Sequence, residues 1–148
     1  MNYKKLAIAL LIPQLVGIIA GIFTRNSIQD WYVNLAKPEI NPPDWLFGPV
    51  WTVLYLLMGI SLYLLWTSKK SEKALNWFYV QLGLNFIWSI LFFGLKNPLF
   101  AFIDLILLWI SILAMIFVTW KIDRKSAWML VPYLLWVSFA GILNYLAI

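Results

Sequence analysis

The chain has 148 residues, of which 64% are hydrophobic and 11% charged, with a mean hydropathy of +0.85 and a formal net charge of +5. These values lie far outside the soluble globular range and place a single domain in lipid. Cysteine and histidine are both absent, which excludes disulfides, thiol nucleophiles, Cys/His zinc sites, haem held by His or Cys thiolate, and histidine acid–base catalysis.

Five runs with few or no charges predict five membrane-spanning helices, at about 6–24, 46–67, 74–94, 98–120 and 127–147. Each has the roughly 20 residues that a helix needs to cross a ~30 Å hydrocarbon core. Strand-period alternation is absent from them, which argues against a barrel. The first run follows Lys4 and Lys5. It holds Pro13, lacks a small-x-small cleavage site and is followed by further spans, so it reads as a permanent helix and not a secretory signal. Gly17 and Gly21 form a GxxxG, which serves either packing within the monomer or a dimer seam.

The segment 25–45 reads as a lid. Within WYVNLAKPEINPPDWLFGPVW, from Trp31 to Trp51, the pairs Lys37-Pro38 and Asn41-Pro42-Pro43 cannot continue a helix and lose little entropy on ordering. Trp31 and Tyr32 begin a short amphipathic turn with Leu35 on the same side. Tyr32 and Pro42 are expected to point toward Trp51, and Asp44 is the expected N-cap of the second helix.

Within the spans, polar and aromatic residues fall on shared faces. The second helix carries Trp51, Tyr55 and Met58; the third carries Gln81, Asn85, Trp88 and Phe92; the fifth carries Tyr133, Trp136, Ala140 and Asn144, with Leu143 nearby. Amides at membrane depth point into a bundle, where they bond a neighbouring helix or meet a ligand. Asp104 is expected to tie the fourth helix to a neighbour's Trp, Tyr or Asn. Pro132 is expected to kink the fifth helix and free a carbonyl. Trp66, Trp77, Trp120 and Trp128 sit beside basic loops as interfacial anchors.

Lys4, Lys5, Lys69, Lys70, Lys73, Lys121, Arg124 and Lys125 share one side, whereas Arg25, Lys37 and Lys96 lie on the other. The positive-inside rule then puts the N-terminus in the cytoplasm and the C-terminus outside, and a bacterial cell membrane fits the bias. The basic balance needs no nucleic acid partner, because topology and anionic lipid account for it.

Taken together, WYxxLxKPxxxPP ending at Pro43, FGPVWTVLY (Phe47 to Tyr55), QLGLNFIWSILFF (Gln81 to Phe93), FIDLILL around Asp104, and AWMLVPYLLWVSFAGILN (Ala127 to Asn144) make a specific pattern. It resembles the TspO family of tryptophan-rich sensory proteins, related to the mitochondrial translocator protein or peripheral benzodiazepine receptor. The resemblance implies an all-α, five-helix membrane bundle, often a homodimer, with a ligand cavity under the first loop. It implies porphyrin or other tetrapyrrole ligands and isoquinoline carboxamide or benzodiazepine-type drugs. Position by position, it assigns Tyr32, Pro42, Trp51, Asn85, Trp88, Trp136, Ala140 and Leu143 to that cavity. The animal cholesterol motif needs a Lys or Arg after its Tyr; Tyr145 is followed only by Leu146, Ala147 and Ile148, so cholesterol is not expected.

Two other readings stand beside ligand binding for transport or sensing. One is a structural or oligomeric membrane protein whose aromatics are packing. The other is light-dependent porphyrin degradation, proposed for some relatives, with Trp51 and Trp136 as candidate catalytic residues. The residues supply no nucleophile, metal site or resident cofactor for other chemistry.

Overall fold

The computed structural model describes residues 1–37 and 39–148. Five helices make up the bundle: α1 (Tyr3–Asp30), α2 (Asp44–Trp66), α3 (Glu72–Ser89), α4 (Pro98–Trp120) and α5 (Arg124–Leu146). α3 continues as a π-helical turn over Ile90–Gly94, and a 3-10 turn over Tyr32–Asn34 lies between α1 and α2. All five are long and apolar enough to cross a membrane, as in a multi-pass integral membrane protein.

Local sequence explains most of the helix starts. Asn2, Asn97 and Asp123 each accept a hydrogen bond from the backbone N–H three residues on, at 3.0–3.1 Å, which satisfies a donor that the first turn leaves free. Pro98 occupies the first position of α4, where a missing N–H costs nothing. α2 differs from expectation: Pro43 is its cap residue, and Asp44 is already in the first turn and makes no capping bond. There its carboxylate acts through the helix dipole alone. α1 also runs on past Thr24 to Asp30. No Pro or Gly falls between Arg25 and Asp30, and Arg25 ends the apolar run without ending the helix. The Lys37-Pro38 break expected in the loop involves Pro38, which lies outside the described residues.

The core lies among α2, α3, α4 and α5, where Met58, Leu62, Phe78, Ile112, Met115 and Leu130 are completely buried. α1 packs from one side through small contacts, burying only Ala9, Pro13, Ala20 and Thr24. Close approach is what associates helices in lipid, because no hydrophobic force drives them together there. Between α2 and α5 the Ser61 and Ser126 hydroxyls meet at 2.5 Å. α5 passes through Pro132 as one continuous helix. At the end carrying the α2–α3 and α4–α5 turns, Arg124 lies over the Trp120 ring at 5.0 Å and Trp66 donates to the Tyr79 hydroxyl, as expected of anchors at a polar boundary.

Asp104 does not form the tie expected of it. It is buried, and its Oδ2 has no hydrogen-bond partner among the described residues. α4 is held instead by the Trp109 indole donating to Ser138 Oγ at 2.8 Å and by Asn144 Nδ2 donating to the Pro98 carbonyl at 2.9 Å. Gly17 packs inside the chain against the ring of Tyr55, whereas Gly21 faces open space.

Candidate functional site

Under the 31–43 loop the helices enclose a cavity of about 520 Å³. Tyr32, Trp51, Asn85, Trp88, Trp136, Ala140 and Leu143 all line it; Pro42 does not. The i, i+4 and i, i+3 spacings that placed these residues on common helix faces are what bring them to one space.

A continuous hydrogen-bonded chain forms the floor. Tyr55 OH donates to Asn85 Oδ1 at 2.9 Å, Asn85 Nδ2 donates to Tyr133 OH at 2.9 Å, and Tyr133 OH donates to Gln81 Oε1 at 2.8 Å. All four residues are buried, so the chain satisfies polar groups where lipid and protein offer no water. It also fixes the amide of Asn85. One N–H and one lone pair of that amide are left for a guest.

The walls are aromatic. Trp51 lies 5.4 Å from Tyr55 and edge-on to Tyr133 at 6.3 Å. Trp136 stands edge-on to Phe47 at 5.9 Å, and Trp88 stacks on Phe92 at 5.1 Å with 18° between the planes. The Trp88 indole N–H donates to Asn144 Oδ1 at 2.9 Å, while those of Trp51 and Trp136 meet no protein acceptor among the described residues. Asn144 thus bridges Trp88 and Pro98 through the two ends of its amide. It is a strut, although it too borders the cavity.

The loop closes the top by a route the sequence did not suggest. Tyr32 does not reach Trp51; its ring stands edge-on to Phe93 at 5.5 Å and Phe92 at 6.3 Å, and Trp31 meets Phe92 at 5.4 Å. The π turn makes this possible. Leu95 N–H bonds the Ile90 carbonyl at 2.8 Å, and the extra residue in the turn presents both phenylalanines to the loop. Burial raises the Tyr32 phenol above the ordinary tyrosine range, with the Asn41 side chain opposing and the Asp44 charge adding to the rise. Tyr32 is therefore a neutral donor at physiological pH.

Phe47 and Lys37 are among the lining residues that the sequence reading did not assign to the cavity. Phe47, one turn before Trp51, carries the spacing signal. Lys37 borders the cavity with its Nζ 4.4 Å over the Tyr32 ring, and only its place beside the prolines hinted at this.

A model of the TspO/MBR family matches residues 9–147. The chain belongs to that family. It is 44% identical to the tryptophan-rich protein TspO of Archaeoglobus fulgidus, over 98% of this chain and 95% of the relative. A tryptophan-rich protein TspO from Chlorobaculum tepidum is 40% identical over 98% of this chain and 96% of its own length. The translocator protein of Bos taurus is 36% identical over 91% of this chain and 83% of its own. Membership thus reaches from archaeal and bacterial chains to a mammalian one, and the matched region contains every cavity residue named above.

Proposed function

We propose that the protein binds a porphyrin or related tetrapyrrole in this cavity, for transport or sensing, and accepts isoquinoline carboxamide and benzodiazepine-type molecules there. The observation that supports it best is the wall itself: three indoles border one apolar space, and two of their N–H groups are free of protein partners among the described residues. Pockets of this kind, ~300–1,000 Å³ and mostly apolar with a few convergent polar groups, hold small flat ligands. A purely structural bundle would pack its aromatics without a void, so the cavity favours the ligand reading. A transport role is in keeping with the bovine relative's name, translocator protein. In this reading the loop end faces outside and the basic end, with the N-terminus, faces the cytoplasm; the protein works as a homodimer in a bacterial cell membrane.

Protoporphyrin titrated into purified protein should quench tryptophan fluorescence. Trp51→Phe combined with Asn85→Ala should weaken the affinity by about tenfold or more, equivalent to ~1.4 kcal/mol. Unchanged affinity in that variant would remove the site assignment.

Because Trp51 and Trp136 both border the cavity, light-dependent oxidation of a bound porphyrin is the second reading. Illumination in air should then bleach the bound ligand to a defined product, more slowly in Trp51→Phe or Trp136→Phe protein that still binds. Equal bleaching by free tryptophan in detergent would reduce the process to ordinary photochemistry.

A further inference from the structure

We propose that ligands enter the cavity sideways from the hydrocarbon of the bilayer, through a slot between the loop-side halves of α1 and α2. The proposal rests on the ligand-binding reading above, and names the class of ligand: a molecule dissolved in the membrane and not in water.

The two helices touch closely at one end, and at the other their glycines face open space. At the N-terminal end of α1 a Cβ on Gly59 would lie 2.7 Å from Leu10 Cα and 2.8 Å from the Ala9 carbonyl oxygen, so the backbones themselves touch. Asn2 N–H donates to the Tyr63 hydroxyl there at 3.0 Å. Further along, Gly17 rests against the Tyr55 ring and Gln14 Nε2 donates to the Thr52 carbonyl at 3.0 Å. That bond is the last between the two helices before the loop, among the described residues. Past it, a Cβ on Gly21 or on Gly48 would meet nothing within 4 Å among the described residues. Gly17 to Gly21 is about 6 Å along the axis, so within one turn α1 passes from a glycine set against α2 to one that faces open space.

That open space leads into the cavity. Ile18, Gly21, Gly48 and Thr52 all line the cavity and are all exposed. A residue that faces both an interior space and the surroundings stands at an opening, and around a membrane span the surroundings are lipid. The slot suits apolar traffic. The Thr52 hydroxyl donates to the Gly48 carbonyl at 2.9 Å and the Thr24 hydroxyl to the Ala20 carbonyl at 2.8 Å, so both hydroxyls bordering it are satisfied within their own helices. On the loop side Trp31 and Tyr32 cover part of the cavity by resting on Phe92 and Phe93, and the exposed lining residues there, Ala36 and Asp44, include a charged one, so that side suits apolar traffic less. An apolar guest also reaches a far higher concentration in the bilayer than in water.

Protein in lipid nanodiscs, protoporphyrin and stopped-flow tryptophan quenching test the route. Gly21→Phe and Gly48→Leu, alone and together, fill open space. Gly83→Leu on α3, where a Cβ also meets nothing within 4 Å, is the control. The expected result is that the paired variant slows association and dissociation together by about tenfold with little change in Kd, as narrowing an entrance does. The control should match the parent. Unaltered rates in the paired variant would overturn the slot, and so would a higher Kd at an unaltered association rate, which would make these glycines walls of the site. Failure of the parent protein to bind protoporphyrin at all would overturn the ligand reading itself, and the route with it.

Discussion

At the basic end of the bundle Leu62, Leu65, Phe78, Met115 and Leu130 are completely buried, and a glycine lets two backbones touch; at the loop end Phe47, Trp51, Trp88 and Trp136 are half-buried around a void. The same helices build both ends. Aliphatic side chains and small residues interdigitate to crystal-like density, whereas broad rigid rings held by hydrogen bonds and edge contacts leave space between them. The dense end fixes the helix axes, and this permits the open end to stay open without its own core.

The sharpest way to break this contrast is to add the same side chain at each end of the α1–α2 pair. Gly59→Leu must push Leu10 and Ala9 backbone aside and should cost ~3 kcal/mol or more, the upper end of overpacking. Gly21→Leu enters open space and should change stability by no more than about 0.5 kcal/mol. Thermal unfolding in detergent measures both. Similar losses at both glycines would mean that the two ends do not differ in packing.

Tyr133→Phe tests the floor between them. Removing the hydroxyl leaves Asn85 Nδ2 and Gln81 Oε1 without the partners they now share. The stability loss should fall near ~0.6–1.7 kcal/mol, between the average and the maximum measured for hydrogen bonds between membrane helices. Porphyrin affinity should fall too, since the Asn85 amide is no longer held. A stability loss with unchanged affinity would make the chain a purely structural tie.

How much of this the sequence carried differs between the two ends for the same physical reason. Hydropathy reads depth in the membrane, so the five spans and the anchors Trp66 and Trp120 were legible. It does not read helix ends, and α1 therefore passed Arg25 unnoticed as far as Asp30. Spacing reads a face, so Asn85, Trp88 and Trp136 were placed on inward stripes. It does not read partners: that Asn144 braces Trp88 and Pro98, that Asp104 has an unpartnered oxygen, and that Tyr32 rests on Phe92 and Phe93 all depend on how far neighbouring helices are rotated and splayed. The π turn was the deepest omission, because one extra residue per turn leaves no mark in composition and yet re-aims two rings.

The smallest expected effect lies at the mouth, where the void meets the aqueous side. Lys37 is the only basic residue bordering the cavity among the described residues, and its Nζ rests over the Tyr32 ring. A tetrapyrrole carrying propionate groups can leave its carboxylates at that level while its ring descends to the indoles. Lys37→Gln should then weaken protoporphyrin binding by an amount typical of exposed ion pairs, ~0.2–1 kcal/mol, or up to about fivefold. Added salt should narrow the difference. The dimethyl ester of protoporphyrin lacks the charge, so its affinity should be the same for both proteins. If the ester is weakened as much as the acid, Lys37 acts by packing on Tyr32 and closing the loop, and the charge at the open end has no part in selecting the guest.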